Sequence, residues 1–143
     1  MLNNNEIKDI PENFFKLENL KRVFLNNNNI KYISKEIEKM NELDTLYLEN
    51  NLIEELPIEI SKTKIKFINL KFNKIKSLSE HFINFPDYSK IYISDNELTQ
   101  FPIFRKGAII NLQISGNNIE NMDQYIEKYK NINFDKYLVL NRV

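Results

Sequence analysis

Apolar and polar positions along the chain form a block that returns about every 22–23 residues. The clearest copy reads LDTLYLENNLI at positions 43–53. The alternation Leu46-x-Leu48 has a period of two, which predicts a short strand with both leucines on one face. Asn51 then ends the strand, since its side chain can hydrogen-bond backbone groups of the turn. Ile53 carries the chain back towards the core, so each block predicts one strand and one turn.

Five copies of the block follow a half copy that opens at Leu2. The copies begin at Leu20, Leu43, Ile65, Tyr88 and Ile109, with an inward apolar residue expected at each of these positions. A framework asparagine recurs in phase, at Asn5, Asn28, Asn51, Asn73, Asn96 and Asn117. The successive spacings are 23, 23, 22, 23 and 21 residues, a regularity that chance does not give. Stacked copies would bring these side chains into a structural ladder.

This framework resembles the leucine-rich-repeat family, whose pattern is LxxLxLxxNxL with repeats of roughly 20–29 residues. The resemblance covers about residues 2–122, with Ile, Phe and Tyr at many positions where Leu is commonest. Proline after an inward residue, at Pro11, Pro57 and Pro102, is similar to the intracellular class with 22–23 residues per repeat. The resemblance implies an α/β solenoid: a right-handed coil with a parallel sheet on its concave face. Extended, 3-10 or short helical segments are expected on the convex side.

The whole chain, 1–143, is expected to form a single domain. Residues 2–122 carry the repeats and residues 123–143 a C-terminal cap, with a short helix over 123–129 and a last strand over 137–140. The chain begins in the middle of a repeat, which leaves the first coil without a cap. This bare edge is a candidate surface for self-association, although such an edge can also simply fray.

Outward positions of the strands are where function is expected, because the core accounts for the inward ones. The central column comprises Phe24, Tyr47, Asn69, Tyr92 and Gln113. The flanking columns are Arg22, Thr45, Phe67, Lys90 and Asn111 on one side, and Asn26, Glu49, Lys71, Ser94 and Ser115 on the other. Exposed aromatic rings beside arginine are typical of protein interfaces. We therefore predict a protein-binding surface of Arg22, Phe24, Tyr47, Glu49, Phe67, Lys90 and Tyr92. The alternative, that the rings stack across strands and stiffen the sheet, is compatible with binding.

Composition adds no signal for catalysis or for a charged ligand. Twenty basic residues balance twenty acidic ones, which gives no net field towards nucleic acid or a membrane surface. No cysteine is present for a disulfide, a thiolate nucleophile or a metal site. The single histidine, His81, falls on an outer segment where we expect it to be solvated. The sequence therefore predicts no catalytic residue, no metal and no cofactor. With no apolar span and no secretory leader, it also predicts a cytoplasmic setting.

Two function classes remain open from the sequence. The favoured one is a recognition module, an adaptor or inhibitor that binds a protein partner through the concave face. The alternative, implied by the family resemblance, is a regulatory or targeting subunit of a signalling enzyme in a phosphatase or small-GTPase pathway. An enzyme proper ranks behind both.

Overall fold

A computed structural model describes residues 1–134 of the chain. Six strands form one sheet in chain order: β1 (Arg22–Phe24), β2 (Thr45–Tyr47), β3 (Phe67–Asn69), β4 (Ser89–Tyr92), β5 (Ile110–Gln113) and β6 (Ile132–Phe134). Every neighbouring pair is parallel. The return segments include 3-10 helices at Glu12–Lys16, Lys35–Lys39 and Ile58–Lys62, and the α-helix α1 (Met122–Lys128). The fold is the leucine-rich-repeat solenoid that the repeat predicts.

The core runs through all of the coils because each coil contributes the same inward positions. Ile30, Leu48, Ile53, Leu70 and Ile75 are completely buried. From the return side, the core is closed by the buried residues Ile37, Met40, Ile60, Phe82 and Phe85. Each such side chain contributes roughly 1.5–3 kcal/mol when it is fully buried. No coil could bury these faces alone, so the neighbours stabilise one another.

The residue before each framework asparagine takes a left-handed backbone conformation. These residues are Asn4, Asn27, Asn50, Phe72, Asp95 and Gly116, with φ between 54° and 69°. Asparagine, aspartate and glycine tolerate this conformation, whereas a bulky residue such as Phe72 is strained there. At Gly116 a Cβ would also collide with the side chain of Asp95.

Two predicted inward positions were wrong. Tyr88 is 77% exposed with φ 66°, and Ile109 is 38% exposed. Ser89 and Ile110 take the buried places, so β4 and β5 each begin one residue earlier than the other central strands. The turn explains the shift at Tyr88: the Ser89 hydroxyl donates to the Pro86 carbonyl at 2.6 Å, which satisfies a polar group in the interior.

The C-terminal end closes the last repeat with aromatic contacts. The predicted helix is confirmed, as α1. Tyr125 and Tyr129 stack on Phe101, with ring centroids 4.6 Å and 5.5 Å away. The strand β6 that follows was not predicted, and the strand expected over 137–140 lies outside the described residues. Phe134 pairs with Leu112, which places Asn131 where the framework has its first apolar residue. This departure from the pattern hid the strand in the sequence.

The N-terminal half coil lies beside β1 as a partial repeat. The Leu2 N–H donates to the Phe24 carbonyl at 3.0 Å, and the Asn4 N–H donates to the Asn26 carbonyl at the same distance. Ile7 and Ile10 are partly buried against the core. On its other side this coil carries no further coil among residues 1–134, so its apolar rim, including Leu2, is exposed.

Candidate protein-binding face

Framework asparagines hold the coils in register beneath the open face of the sheet. The Asn51 Nδ2 donates to the carbonyls of Leu25, at 3.0 Å, and Leu48, at 3.1 Å. Its Oδ1 accepts the N–H of Ile30 at 3.0 Å. One side chain thus joins its own turn to the preceding coil, and it supplies the partner that the buried Ile30 N–H needs.

The same three-bond arrangement recurs at Asn28, Asn73, Asn96 and Asn117. Asn5 differs from these. It is exposed, and its Nδ2 donates only to the Leu2 and Asn3 carbonyls of its own turn. The Asn5 backbone N–H donates to the Asn27 carbonyl of the next coil at 3.2 Å, but the Asn5 side chain makes no bond between coils among residues 1–134.

Strand register places the predicted binding residues side by side. Phe24, Tyr47, Asn69, Tyr92 and Gln113 pair across successive strands as one column. Arg22, Thr45, Phe67, Lys90 and Asn111 pair as the next column. All of these positions point away from the core, on the face that is concave in this architecture.

Four aromatic rings form a continuous row across this face, which we term the aromatic stripe: Phe24, Tyr47, Phe67 and Tyr92. Phe24 stacks on Tyr47 with centroids 4.9 Å apart and planes 16° apart. Tyr47 contacts Phe67 at 4.8 Å, and Phe67 meets Tyr92 edge-on at 5.2 Å. Phe67 bridges the gap that Asn69 leaves in the central column. All four rings are half-buried, so part of each ring contacts its neighbours and part remains accessible to a partner.

Polar groups beside the stripe are partly engaged with one another. Glu49 accepts a hydrogen bond from the Asn69 Nδ2 at 2.8 Å, and Asn69 itself is only 6% exposed. The Lys71 Nζ lies 5.1 Å from the Tyr92 ring centroid, within cation–π range. Arg22 and Lys90 are exposed and form no ion pair with any acidic side chain of residues 1–134. The sequence could not distinguish the charged side chains that contact a neighbour, Glu49 and Lys71, from those that form no ion pair, Arg22 and Lys90.

His81 is not the solvated residue that we expected from the sequence. It is half-buried, its Nε2 hydrogen-bonds to the Leu56 carbonyl at 2.8 Å, and its Nδ1 is buried without a partner. The physical reason is that the return segment turns the ring towards the preceding coil. Neither ring nitrogen hydrogen-bonds to a carboxylate or hydroxyl in the described part of the chain.

Positions 1–134 contain no group of three or more His, Cys, Asp or Glu side chains that could hold a metal ion. Among their helices, none has the length and apolar character that crossing a membrane requires.

Comparison with known proteins identifies the repeat. Residues 1–53 match the family model described as leucine rich repeat. No curated protein sequence matches the chain. The repeated coil, the parallel sheet and the asparagine ladder continue beyond residue 53 with the same geometry. The intracellular class of repeat stays a prediction.

Two solved structures illustrate the similarity. One is a leucine-rich-repeat protein of Leptospira interrogans, with a TM-score of 0.49 and 18% identity, covering 92% of this chain and 53% of that one. The other is the functional domain of InlJ from Listeria monocytogenes, with a TM-score of 0.31 and 11% identity, covering 91% and 46%. The chain thus spans about half the length of each. The leucine-rich-repeat fold generally mediates protein–protein interaction.

Proposed function

We propose that the protein is a recognition module that binds a protein partner through the open face of its sheet. The observation that carries this proposal is the aromatic stripe, with exposed Arg22 and Lys90 beside it. Aromatic and arginine side chains supply much of the binding energy in protein interfaces. The binding set is the one predicted from the sequence: Arg22, Phe24, Tyr47, Glu49, Phe67, Lys90 and Tyr92.

Stacking within the stripe favours binding, although it also stiffens the sheet. A side chain that is ordered on binding costs about 0.5–1.5 kcal/mol in lost freedom. Phe24 and Tyr47 already hold each other at 4.9 Å, so a partner would order them at a smaller cost. Rings that are fixed before the partner arrives are a pre-organised contact surface.

An affinity pull-down from the source lysate tests the proposal. The test variant is Phe24→Ala/Tyr47→Ala/Tyr92→Ala, which removes three rings of the stripe. The matched control is Tyr32→Ala/Ile58→Ala/Ile103→Ala, which removes three exposed apolar side chains outside it. Circular dichroism establishes that both variants remain folded before they are compared.

We expect a partner that wild type and the control variant retain and the stripe variant loses. The partner's identity would then separate an adaptor or inhibitor from a subunit that targets a phosphatase or small-GTPase pathway. Equal capture by the stripe variant would contradict the proposal and direct the search to the outer surface or the N-terminal edge. The cytoplasmic setting of this interaction stays a prediction.

A further inference from the structure

We infer that the partner segment recognised by the open face is acidic, an inference that rests on the function proposed above. Charge is unevenly distributed around the aromatic stripe, although the whole chain is neutral. The starts of the strands carry four basic residues, here termed the basic flank: Lys21, Arg22, Lys66 and Lys90. All four are exposed. Arg22 and Lys90 belong to one column of the sheet, and Lys21 and Lys66 lie one residue before it, where Asp44 is the acidic residue between them.

Acidic groups near the stripe are already engaged, whereas the basic flank is not. The Asp44 Oδ1 accepts a hydrogen bond from the Thr45 hydroxyl at 2.7 Å, and Glu49 accepts one from Asn69. Asp95, at the far end of its strand, lies against Gly116. No member of the basic flank forms an ion pair with an acidic side chain of the described residues. Asp44 lies between Lys21 and Lys66 in the sheet and offsets part of their charge. The column that contains Arg22 and Lys90 has no acidic residue, so the counter-charge of these two cations comes from solvent ions or from a partner.

Ring geometry adds to the preference for negative charge. An aromatic ring is negative on its faces and positive at its edges. Phe24 and Tyr47 cover each other's faces at 4.9 Å, and Lys71 lies over Tyr92. Each of these contacts covers one face of a ring, so the stripe presents ring edges together with the faces that remain uncovered. Carboxylates are attracted both to such edges and to the cations of the basic flank.

The same geometry argues against nucleic acid, the other anionic candidate. Binding of single strands relies on bases that stack on accessible aromatic faces. In the stripe, one face of Phe24 and one face of Tyr47 are covered by the other ring, and Lys71 lies over Tyr92, so fewer faces are accessible to a base. Phosphates would be attracted to the basic flank, but that attraction alone assigns no role to the rings. An acidic peptide accounts for both the cations of the flank and the ring edges of the stripe.

Strand spacing sets the size of the acidic segment. Arg22 on β1 and Lys90 on β4 are three strands apart, which is about 14 Å at roughly 4.8 Å per strand. An extended peptide advances about 3.4 Å per residue, so four residues span this distance. We expect a segment that crosses the strands with carboxylates about four residues apart and an apolar side chain between them on the stripe.

Selection from a random 12-residue peptide display library on the immobilised full chain tests the inference. The enriched peptides are then titrated against three variants and wild type. Arg22→Glu/Lys90→Glu reverses the basic flank. Lys35→Glu/Lys76→Glu makes the same charge change at exposed lysines outside the sheet and serves as the matched control. Tyr47→Ala/Tyr92→Ala opens the stripe.

We expect the enriched peptides to carry an excess of Asp and Glu. They should bind the flank variant at least about tenfold more weakly and the control variant within about twofold, with affinity falling as salt is raised. Selection of neutral or basic peptides, equal losses on flank and control variants, or no enrichment would overturn the inference. Tighter binding of an oligothymidine probe, lost on the flank variant, would also overturn it in favour of nucleic acid.

The stripe variant separates this inference from the proposed function. Peptides that lose affinity on Tyr47→Ala/Tyr92→Ala but show no acidic excess would contradict only the acidic preference. Acidic peptides that keep their full affinity for that variant would contradict the proposed binding face itself, because cations elsewhere would then explain the binding.

Discussion

Asparagine occupies two adjacent positions in several coils for two different physical reasons. The framework asparagine, as at Asn51, satisfies buried backbone groups on two coils. The residue before it needs a left-handed backbone, which asparagine tolerates better than most residues. In the first three coils these preceding asparagines also bond to one another, from Asn50 to Asn27 at 2.9 Å and from Asn27 to Asn4 at 2.7 Å. The framework asparagines and the asparagines that precede them therefore differ in burial. Their substitution should also differ in its effect on the free energy of unfolding.

Asn51→Ala tests the framework role at this scale. The substitution leaves the Ile30 N–H unpaired in the interior and removes one of the two asparagine hydrogen bonds at each of the Leu25 and Leu48 carbonyls. The free energy of unfolding should therefore fall by about 2 kcal/mol. Asn5→Ala is the matched control, since Asn5 is exposed, and should change it by about 0.5 kcal/mol or less. Urea denaturation measures both. Equal losses would mean that the bonds between coils contribute nothing beyond the local turn.

Phe72 is the one bulky residue among the left-handed positions that precede the framework asparagines, and its replacement by asparagine should stabilise the protein. Its φ is 54° and it is 52% exposed, so the strain is not offset by full burial. Strain of this kind costs about 1–3 kcal/mol. Phe72→Asn should therefore raise the free energy of unfolding by about 1 kcal/mol, as measured by urea denaturation.

Phe72→Ala is the control for that gain, because alanine lacks the short polar side chain that lets asparagine tolerate positive φ. We expect no comparable stabilisation from it. A loss of stability in Phe72→Asn would show instead that the ring makes favourable contacts which outweigh the strain.

At the scale of elements, three-residue strands are ordered by their neighbours on both sides. The stripe is one such cross-strand feature, because each of its four rings comes from a different strand. A double-mutant cycle of Phe24→Leu and Tyr47→Leu isolates the first contact. We expect a coupling free energy of about 0.5–1.5 kcal/mol from urea denaturation, in line with other aromatic pairs.

Phe24→Leu combined with Phe67→Leu supplies the comparison, since these rings belong to strands that are not neighbours. Their coupling should be smaller than that of Phe24 and Tyr47. If the two couplings were equal, the stripe would be a row of independent exposed rings and the argument from pre-organisation would fail.

Elements were predictable from the sequence where periodicity and turn chemistry agreed. The pattern Leu46-x-Leu48 followed by Asn51 fixed a strand and its outward positions without any structure. At Tyr88 and Ile109 an apolar side chain stood in phase, but the preceding turn shifted the buried place to the next residue. Hydrophobic period alone cannot reveal such a shift, since it depends on local backbone geometry and on a hydroxyl bond to Pro86.

At the scale of the whole molecule, the candidate site exists only because the coils stack. Arg22 and Lys90 belong to strands three places apart in the sheet, and no single repeat contains both. The columns could be predicted from the repeat, since residues in phase must lie side by side. Which rings touch and which charges remain without a partner depends on side-chain conformations, so these features required the structure.

The stacking of the coils also links the stability of the fold to the binding function. Because each coil is stabilised by its neighbours, a change that loosens one framework asparagine should disturb the register of the face above it. Substitutions of outward residues such as Tyr92, in contrast, should affect binding more than folding.

Site-specific photo-crosslinking tests the proposed binding face most directly. A benzophenone amino acid replaces Tyr92 on the stripe in one preparation and Ile58 on the outer 3-10 helix in another, and each is irradiated in source lysate. We predict a discrete protein adduct from the Tyr92 position, abolished by adding Phe24→Ala/Tyr47→Ala, and no such adduct from the Ile58 position. An adduct from Ile58 alone, or one from Tyr92 that survives loss of the two rings, would contradict recognition through the open face.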